Sequence, residues 1–331
     1  MRTTTLGGSG VDVTVLGFGA ASIAGLYTPV DEQSAAATVE AAWDAGIRYF
    51  DTAPHYGLGL SERRLGAVLR GKPREEYVVS TKVGRLLEPY DGADPAPSDL
   101  ADGFAVPATH RRVWDFSADG VRRSLEESLT RLGLDRVDVA LLHDPDDHGE
   151  QAFREAYPTL ERLRAEGVVR AIGAGMNQTG MLTRFLTDTD VDAVLCAGRY
   201  TLLEQAALDT LLPAAAARGK SVIIGGVFNS GLLAAPRAGA TYNYSLAPVP
   251  LLEKALSMHK ATEALGVPLR AAALHFPFGH PAVACVLTGP RSAEEVRDSV
   301  ALLSTPVPAE VWHRLRAEDL LPPLIPVPEA G

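Results

Sequence analysis

Residues 46–57 read GIRYFDTAPHYG. The short apolar run ends on a carboxylate, Asp51, and the turn after it carries the phenol of Tyr56. A run of this kind, bounded by glycine and proline, is typical of a buried β-strand. Where buried parallel strands end, loop residues above their carboxyl ends commonly carry the chemistry. The stretch therefore predicts a strand that delivers functional groups at its carboxyl end.

The next two apolar runs show the same pattern. Residues 77–81 (YVVST) are followed by Lys82, and residues 137–142 (VDVALL) are followed by His143. A lone aspartate or histidine at a strand end is commonly a turn or structural residue. The coincidence at consecutive strand ends favours one shared site instead.

Apolar runs and amphipathic helical patterns alternate along the whole chain, and residues 2–16 predict a hairpin around Gly7–Gly10. Alternating strands and helices call for a parallel sheet, and eight such units fit a (β/α)8 TIM barrel better than an open sheet. No composition shift marks a boundary, so we expect a single domain over residues 1–331. The predicted strands are 15–20, 47–50, 77–81, 137–142, 168–172, 193–196, 221–224 and 283–287, and the predicted helices are 31–43, 61–71, 118–132, 151–165, 179–186, 204–218, 251–265 and 293–303.

Two connections are much longer than the others. Residues 84–117 are rich in proline, glycine and aspartate, and residues 231–250 contain two tyrosines. Both follow predicted strands, which puts them at the carboxyl face of the barrel. Loops of this length are usually functional covers or disordered, so we expect them to bound the active site.

Composition and charge exclude several kinds of partner. The formal charge of -10 and the scattered arginines argue against nucleic acid. No apolar run approaches the roughly 20 residues that span a bilayer. Cys196 and Cys285 lie in strand-like runs, where reduced thiols are expected. We predict a cytoplasmic protein with a small-molecule substrate and no nucleic-acid or membrane partner; the oligomeric state stays open.

Together, the four ionisable residues form a proton-transfer set. Free tyrosine has a pKa near 10, and an adjacent ammonium favours the phenolate and lowers that pKa. A carboxylate would keep the lysine charged and aimed, and a histidine would orient a substrate oxygen. Nothing in the set accepts electrons, so a nicotinamide cofactor is implied as hydride partner.

Residues 50–57, 80–82 and 141–144 strongly resemble the aldo-keto reductase signatures, and the similarity covers nearly the whole chain. The resemblance implies a catalytic tetrad: Tyr56 as general acid/base, Lys82 as the group that tunes its pKa, Asp51 as orienter of Lys82, and His143 as a substrate-orienting residue. Tyr56 and His143 would both contact the substrate. NAD(P) would bind extended across the barrel mouth.

The same resemblance implies where the cofactor binds. Asn177 would hold the nicotinamide carboxamide, although Met176 replaces the usual serine before it. Residues 225–233 resemble the pyrophosphate-binding loop, and residues 287–295 resemble the segment at the adenosine end. The implied cofactor-binding residues are Gly19, Ala20, Asp51, Asn177, Val227, Phe228, Asn229, Gly231, Leu233, Gly289, Arg291 and Glu295.

Two details of the cofactor site stay open. The aromatic that stacks on the nicotinamide is not evident, with Phe228 and Tyr200 as substitutes. Members that prefer NADP usually carry a basic residue at the position of Glu295, whose carboxylate would repel a 2′-phosphate. We therefore expect NAD, with NADP possible through Arg291. Ser292 and Glu295 fit a helix capping box equally well.

Residues 112–117, 119–129 and 197–203 resemble the aldose-dehydrogenase branch of the family, which includes enzymes acting on L-fucose, D-threo-aldoses and galactose. The branch implies oxidation of the anomeric hydroxyl of a free sugar to a lactone, with Trp114 as a stacking face for the sugar or, equally, a loop-packing anchor. Alternatives are a pyridoxal 4-dehydrogenase, a general NADPH aldehyde or ketone reductase, and a nucleotide-sensing regulatory subunit. Residues 143–148 fit no standard metal spacing, so no metal is expected.

Overall fold

The structure is a computed structural model that describes residues 1–90, 92, 98–243 and 245–329. The strands are β1 (Thr3–Thr5), β2 (Asp12–Thr14), β3 (Leu16–Gly19), β4 (Tyr49–Asp51), β5 (Val78–Val83), β6 (Arg85–Pro89), β7 (His110–Trp114), β8 (Val139–His143), β9 (Ala171–Met176), β10 (Ala193–Ala197), β11 (Ser221–Gly225), β12 (Thr241–Tyr242), β13 (Ser245–Leu246) and β14 (Val283–Thr288). The helices are α1 (Glu32–Asp44), α2 (Leu60–Leu69), α3 (Ala118–Leu132), α4 (Gly149–Gln151), α5 (Tyr157–Ala165), α6 (Thr179–Asp188), α7 (Leu211–Ala217), α8 (Val249–Glu263), α9 (Leu269–His275), α10 (Ala293–Ser304) and α11 (Ala309–Ala317), with one turn of π-helix at Ala152–Ala156 before α5.

Eight parallel strands close into a barrel in the order β3-β4-β5-β8-β9-β10-β11-β14, with β14 returning to β3. This confirms the predicted (β/α)8 barrel. The strand residues are nearly all buried, because one face packs into the barrel interior and the other against the helices. All eight carboxyl ends therefore open on the same side, which is where the functional residues predicted from the strand ends lie.

The predicted N-terminal hairpin closes the opposite end of the barrel. β1 and β2 pair antiparallel, and Leu6, Val11 and Val13 join the cluster of buried side chains inside the barrel. The Thr4 hydroxyl donates to the carbonyl of Ala284 in β14 at 2.7 Å, which fastens the hairpin to the rim. With this end sealed, a ligand reaches the interior only from the carboxyl face.

The connection over residues 84–117 leaves the barrel as a two-stranded ribbon, β6 paired with β7. Gly84 makes the turn out of β5 with a φ of 96°, and a Cβ there would lie 2.1 Å from the ring of Phe116. Glycine is therefore required at this position by both conformation and space. Residues 100–104, which lie between the two strands of the ribbon, reach the barrel mouth.

The second long connection, residues 231–250, contains the short antiparallel pair β12 and β13. Of the tyrosines noted there, Tyr242 is buried and its hydroxyl bonds to Glu204, whereas Tyr244 lies outside the described residues. Both connections follow barrel strands at the carboxyl face, as expected.

The predicted helix over residues 204–218 is only half correct, since α7 begins at Leu211. The hydroxyl of Thr201 accepts from the backbone N–H groups of Leu203 and Glu204, and the Gln205 amide donates to carbonyls at 201 and 202. These side chains hold the backbone in turns, which compete with helix formation. A single 3-10 turn at Ala206–Leu208 follows.

Two helices were not predicted, α9 and α11. Five of the seven residues of α9 are buried, so its sequence lacks the polar face that marks an amphipathic helix. α11 is nine residues long and buries Val311, Trp312 and Leu315 against the outer core. Short helices of this kind depend on tertiary packing and leave a weak pattern in the sequence.

Both cysteines lie in barrel strands, Cys196 in β10 and Cys285 in β14, and both are free and buried. Burial raises the pKa of the Cys196 thiol to about 12, so it is a neutral packing group. In the described part of the chain, no helix is long and apolar enough to cross a membrane.

Candidate active site

Lys82 lies in β5, and its ammonium occupies the centre of the site. Its Nζ donates to the Asp51 carboxylate at 2.7 Å, to the Tyr56 hydroxyl at 3.0 Å and to the carbonyl of Thr52 at 3.1 Å. These three bonds use all three donors of an ammonium group. Lys82 is 2% exposed and Asp51 3%, so the ion pair is sealed from solvent. The three predicted residues Asp51, Tyr56 and Lys82 are thus in direct contact.

A second row of hydroxyls holds Asp51 in place. The Ser80 hydroxyl donates at 2.7 Å to the Asp51 carboxylate oxygen that Lys82 does not contact. A 3.0 Å hydrogen bond joins the Tyr49 hydroxyl to the Ser80 hydroxyl. Both carboxylate oxygens therefore have partners, one in Ser80 and one in Lys82. A buried carboxylate with both oxygens bonded keeps its charge and its direction.

Burial and neighbouring charges have opposite effects on the pKa values of Tyr56 and Lys82. Burial of the Tyr56 hydroxyl raises its pKa, and the neighbouring Lys82 ammonium only partly offsets that rise. The lowering effect predicted for Lys82 is therefore present, but burial outweighs it. Burial disfavours charge on Lys82, but Asp51 and Tyr56 outweigh that effect and raise its pKa. Tyr56 is thus a phenol whose ionisation is opposed by burial and favoured by the Lys82 cation.

His143 ends β8 beside Tyr56, with ring centroids 5.8 Å apart and planes at 89°. Burial, together with the nearby cations Arg85 and Lys82, lowers the pKa of His143 well below its usual value. Its imidazole is neutral at physiological pH, and Nδ1 has no hydrogen-bond partner among the described residues. A neutral imidazole of this kind is able to donate to a carbonyl oxygen or accept from a hydroxyl.

Asp144 follows His143 and reaches the same space. Its carboxylate forms an ion pair with Arg85 from β6 and lies 3.6 Å from the Nε2 of His143. Its backbone φ of 41° is one that aspartate tolerates better than most residues. Burial raises the pKa of Asp144, and Arg85 opposes this.

A cavity of about 570 Å³ opens above Lys82, Tyr56 and His143. Its walls come from the ends of barrel strands and from the connection over residues 84–117. The other lining residues are Ala21, Leu26, Tyr27, His55, Leu100, Ala101, Asp102, Gly103, Phe104, Asp144, Gly175, Met176, Asn177, Leu195 and Ala197. The predicted tetrad is therefore assembled at the floor of one pocket, with Asp51 beneath it.

Trp114, predicted to stack on a sugar, does not line this cavity. Its ring is 42% exposed, packs 5.2 Å from the Arg85 guanidinium and lies parallel to His148. This geometry matches the alternative prediction, a loop-packing anchor. An aromatic residue of the same connection that does line the cavity is Phe104, which is 2% exposed and whose ring lies 6.1 Å from that of Tyr56. The sequence does not show which of the two aromatics lines the cavity. The orientation of Trp114 depends on the pairing of β7 with β6, a non-local contact.

His55 was overlooked although it stands beside Tyr56 in the opening stretch. It lines the cavity, and its ring lies 5.5 Å from that of His143 and 5.4 Å from that of Phe104. Its Nδ1 accepts a hydrogen bond from Arg112, a residue 57 positions later in β7. Adjacency to Tyr56 is the only sequence signal that points to it.

The predicted nicotinamide end lies in the cavity wall. Asn177 follows β9, and its amide donates to the carbonyl of Ala197 at 2.8 Å, which leaves one N–H and the carbonyl for a ligand. Met176 is buried beside it and offers no comparable group. Gly19 ends β3 and Ala20 follows it, and the Ala20 N–H donates to the carbonyl of Asp51 at 2.8 Å.

The segment after β11 bears on whether a cofactor fits. Asn229 is 3% exposed, and neither its amide nitrogen nor its oxygen has a partner in the described residues. A buried polar side chain without partners is rare, and its free amide and carbonyl groups fit a ligand that both donates and accepts, such as a nucleotide cofactor. The side chains of Val227 and Leu233 are fully packed in the outer core, so only their backbone is available. Gly231, with a φ of 97°, permits the turn between them.

The structure decides between the two aromatics considered for stacking. Tyr200 is fully buried, and its ring packs 5.1 Å from Phe276 in the outer core. It has no face to offer a ligand, so that alternative is wrong. Phe228 is partly exposed at the carboxyl end of β11 and keeps its predicted place.

At the predicted adenosine end, Gly289, Arg291 and Glu295 are exposed. The Glu295 carboxylate accepts from the backbone N–H of Arg291 at 2.9 Å, and its own N–H donates to the Ser292 hydroxyl at 3.2 Å. Half of the capping box is therefore present: Ser292 caps the helix, but the Glu295 carboxylate accepts from Arg291 rather than from the backbone N–H of Ser292. The carboxylate is half exposed and lies 3.8 Å from the Arg291 guanidinium. The Arg291 guanidinium donates to the Thr28 hydroxyl at 3.1 Å.

The comparisons with known proteins agree with this site. The model of the Aldo/keto reductase family matches residues 15–319. The chain belongs to this family. It is 44% identical to D-threo-aldose 1-dehydrogenase from Pseudomonas sp over 95% of the chain and 96% of that relative, and 41% identical to pyridoxal 4-dehydrogenase from Microbacterium luteolum over 96% and 97%. Among solved structures, the holo form of aldo-keto reductase AKR11C1 from Bacillus halodurans matches with a TM-score of 0.75 and 26% identity over 97% of this chain and 96% of that one.

Family membership confirms the resemblance found in the sequence and makes the chain an oxidoreductase that uses NAD(P). The roles of individual residues, the preferred nucleotide and the substrate are separate questions. The geometry described above bears on each of them.

Proposed function

We propose that this chain oxidises the anomeric hydroxyl of a free aldose, such as L-fucose or a D-threo-aldose, to the lactone. The observation that carries the proposal is the Lys82 ammonium, fixed between the Asp51 carboxylate and the Tyr56 hydroxyl on the floor of the cavity. In this trio the Tyr56 hydroxyl is the proton acceptor, and the buried Lys82 cation stabilises its phenolate form. The resemblance to D-threo-aldose 1-dehydrogenase supports the sugar as substrate.

Tyr56 would act as the general base. As the phenolate, stabilised by Lys82, it takes the proton of the anomeric hydroxyl while the hydride leaves C1. Asp51 keeps Lys82 charged and aimed, and Ser80 keeps Asp51 in position. In the reverse direction the neutral phenol returns the proton to the carbonyl oxygen.

His143 would orient the reacting oxygen rather than move its proton. Its lowered pKa keeps the ring neutral, so it does not compete with Tyr56 as an acid. Its position beside the Tyr56 ring allows both side chains to meet the same substrate oxygen. Hydrogen bonds from both Tyr56 and His143 to the reacting oxygen would fix the orientation of the substrate carbon C1.

The hydride acceptor that this chemistry requires is bound NAD(P)+. Asn177 in the cavity wall and Asn229 after β11 are the polar side chains best suited to hold it, because each has hydrogen-bonding capacity left unused. Gly19, Ala20, Phe228 and Gly231 would line the same path. We propose NAD over NADP, because the exposed Glu295 carboxylate would repel a 2′-phosphate, with Gly289 and Arg291 beside it at the adenosine end.

Pyridoxal is the second candidate substrate. Its cyclic hemiacetal presents the same reacting group, and the relative at 41% identity is a pyridoxal 4-dehydrogenase. The rings of Phe104 and His55 would suit a planar aromatic substrate. The sugar is preferred because the carboxylate of Asp144, the amide of Asn177 and the two imidazoles together match several hydroxyls.

A dehydrogenase assay tests the proposal. Purified protein is given L-fucose, D-arabinose, L-galactose or pyridoxal with NAD+ or NADP+, and reduced nucleotide and lactone are both measured. We expect turnover of at least one aldose with NAD+ and none by the Tyr56→Phe variant. Turnover of pyridoxal alone would favour the second candidate. Absence of any turnover, with nucleotide still bound, would favour a nucleotide-sensing role.

A further inference from the structure

We infer that His55 is a substrate-binding residue, a fixed Nε2–H donor to a substrate oxygen beside the reacting carbon, and that Arg112 is the positioning residue that fixes it. The inference rests on the proposed function for the identity of the substrate. It adds a specificity-determining pair that lies outside the tetrad.

The proton on the His55 ring is assigned by chemistry. The Arg112 Nε donates to the Nδ1 of His55 at 2.5 Å. A guanidinium has only donors and stays protonated in proteins. Nδ1 must therefore carry a lone pair, and the ring of a neutral His55 must carry its proton on Nε2.

The orientation of the Arg112 guanidinium is fixed by other hydrogen bonds. Its guanidinium makes a two-pronged contact with Asp99, with both N–O distances 2.7 Å, and a third bond to Asp102 at 2.9 Å. A further bond runs to the backbone carbonyl of His55 at 3.1 Å. The side chains of Arg112 and Asp99 are both nearly fully buried. Bidentate pairs of this kind fix direction as well as charge.

The remaining ring nitrogen, Nε2, belongs to a side chain in the cavity wall. His55 lines the cavity, and within the described ranges no residue bonds to its Nε2. The three rings of His55, Tyr56 and His143 stand 5.5 to 6.0 Å apart by centroid. Tyr56 and His143 are committed to the reacting oxygen, which leaves His55 for a neighbouring one.

The charges around His55 agree with a neutral donor. The groups that face it are Arg112 from β7, Arg85 from β6, Lys82 from β5 and the neutral ring of His143 from β8. Burial and the three cations lower the pKa of His55 to about 2. The ring therefore stays neutral throughout the working pH range, and a substrate group that only donates would find no partner there.

The tautomer is tested without any substrate. Ring ¹⁵N shifts of the ¹⁵N-histidine-labelled protein are recorded between pH 5 and 8, with the His55 signals assigned by their loss in His55→Gln. We expect a neutral Nε2–H ring that does not titrate. An Nδ1–H ring, or titration near the usual histidine pKa, would overturn the inference even if the enzyme oxidises aldoses.

The contact with substrate is tested by kinetics on His55→Leu and His55→Gln, using whichever compound of the panel the wild type oxidises best. We expect His55→Leu to raise KM roughly tenfold, the effect of one lost hydrogen bond in an enclosed site, with kcat and nucleotide Kd little changed. Glutamine places an amide N–H near the former Nε2 and should restore most of the affinity. His148→Leu, outside the cavity, is the matched control and should leave KM unchanged.

The positioning role is tested by Arg112→Lys, which keeps a cation opposite Asp99 but loses the fork. We expect its KM to rise as in His55→Leu, and the double variant to be no worse than either single one. Additive effects would show that Arg112 acts through general structure and would overturn its role. Failure of the wild type on every aldose would instead contradict the proposed function, while the ¹⁵N shifts still decide the His55 arrangement.

Discussion

The two walls of the cavity are built in different ways. The first, the strand-end wall, consists of Lys82 and His143 in barrel strands and Tyr56 in the turn after β4, with Asp51 beneath them. The second, the connection wall, carries Phe104 and the Arg112 that holds His55, both from residues 84–117. In the first wall the polar groups lie in barrel strands or in the turn that directly follows one. In the second, ion pairs between Arg112, Asp99 and Asp102 do the placing.

This difference indicates that catalysis and substrate recognition are assigned to different walls of the cavity. Barrel strands are fixed within the shared core, so the strand-end wall suits proton transfer, where a small displacement is costly. A long connection tolerates change in sequence and length, so the connection wall suits the choice of substrate. The comparison predicts losses of kcat from the first wall and losses of KM from the second.

The largest effect is expected from Tyr56→Phe. Loss of the proton acceptor should lower kcat about 10²- to 10⁴-fold, because general acid–base catalysis contributes that range. Nucleotide Kd, measured by fluorescence titration, should be unchanged. Tyr77→Phe is the matched control: it removes a buried hydroxyl bonded to the carbonyl of Leu69 and should cost about 1 kcal/mol of stability without lowering kcat. An active Tyr56→Phe enzyme would contradict the division of roles.

Lys82→Met should affect both activity and stability. Removing the cation leaves Asp51 buried and unpaired, which costs about 3–5 kcal/mol of unfolding free energy. Because Lys82 offsets part of the rise that burial imposes on the Tyr56 pKa, its loss should raise that pKa further. The alkaline rise of the residual oxidation rate should therefore move to higher pH.

The control for Lys82 is Lys72→Met, which breaks the partly exposed pair with Glu40. Chemical denaturation should show a loss of at most about 1 kcal/mol, the usual value for such pairs, and the pH–rate profile should not move. If the two lysine variants lose similar stability, the strand-end wall is less tightly coupled than its geometry implies.

Phe104→Leu tests the connection wall. Replacing the ring should raise KM roughly three- to tenfold, as expected for the loss of an aromatic contact, with kcat nearly constant. Trp114→Leu is the matched change on the same connection and should leave KM unchanged, since that ring packs on Arg85 outside the cavity. A KM effect at Trp114 alone would favour the stacking role over the loop-packing role and would contradict the geometry seen here.

The smallest effect is expected at the exposed rim, where neither wall reaches. Glu295→Gln keeps an acceptor for the Arg291 N–H but removes the charge, so affinity for NADP+ should improve roughly two- to fivefold, the size of an exposed charge interaction. Glu294→Gln, the exposed neighbour in the same turn of α10, should change it less. Wild-type preference for NADP+ in the same titration would refute the proposed role of Glu295.

The sequence by itself determined the barrel and most of the strand-end wall. Alternating strand and helix patterns predicted eight parallel units, and parallel strands bring their carboxyl ends to one face whatever the side chains are. The sequence therefore predicted that residues at those ends, such as Asp51 and His143, lie close together, although it contains no direct information on their contacts. The same logic located Lys82, although it lies within β5 rather than after it.

Only the tertiary structure decided the connection wall and the charge state of the site. Which aromatic of residues 84–117 faces the cavity depends on the pairing of β6 with β7, a non-local choice that leaves no periodic signal. The contact between Arg112 and His55 joins residues 57 positions apart. The raised pKa of Tyr56 depends on how far burial outweighs one cation, a balance that appears only when the side chains are packed.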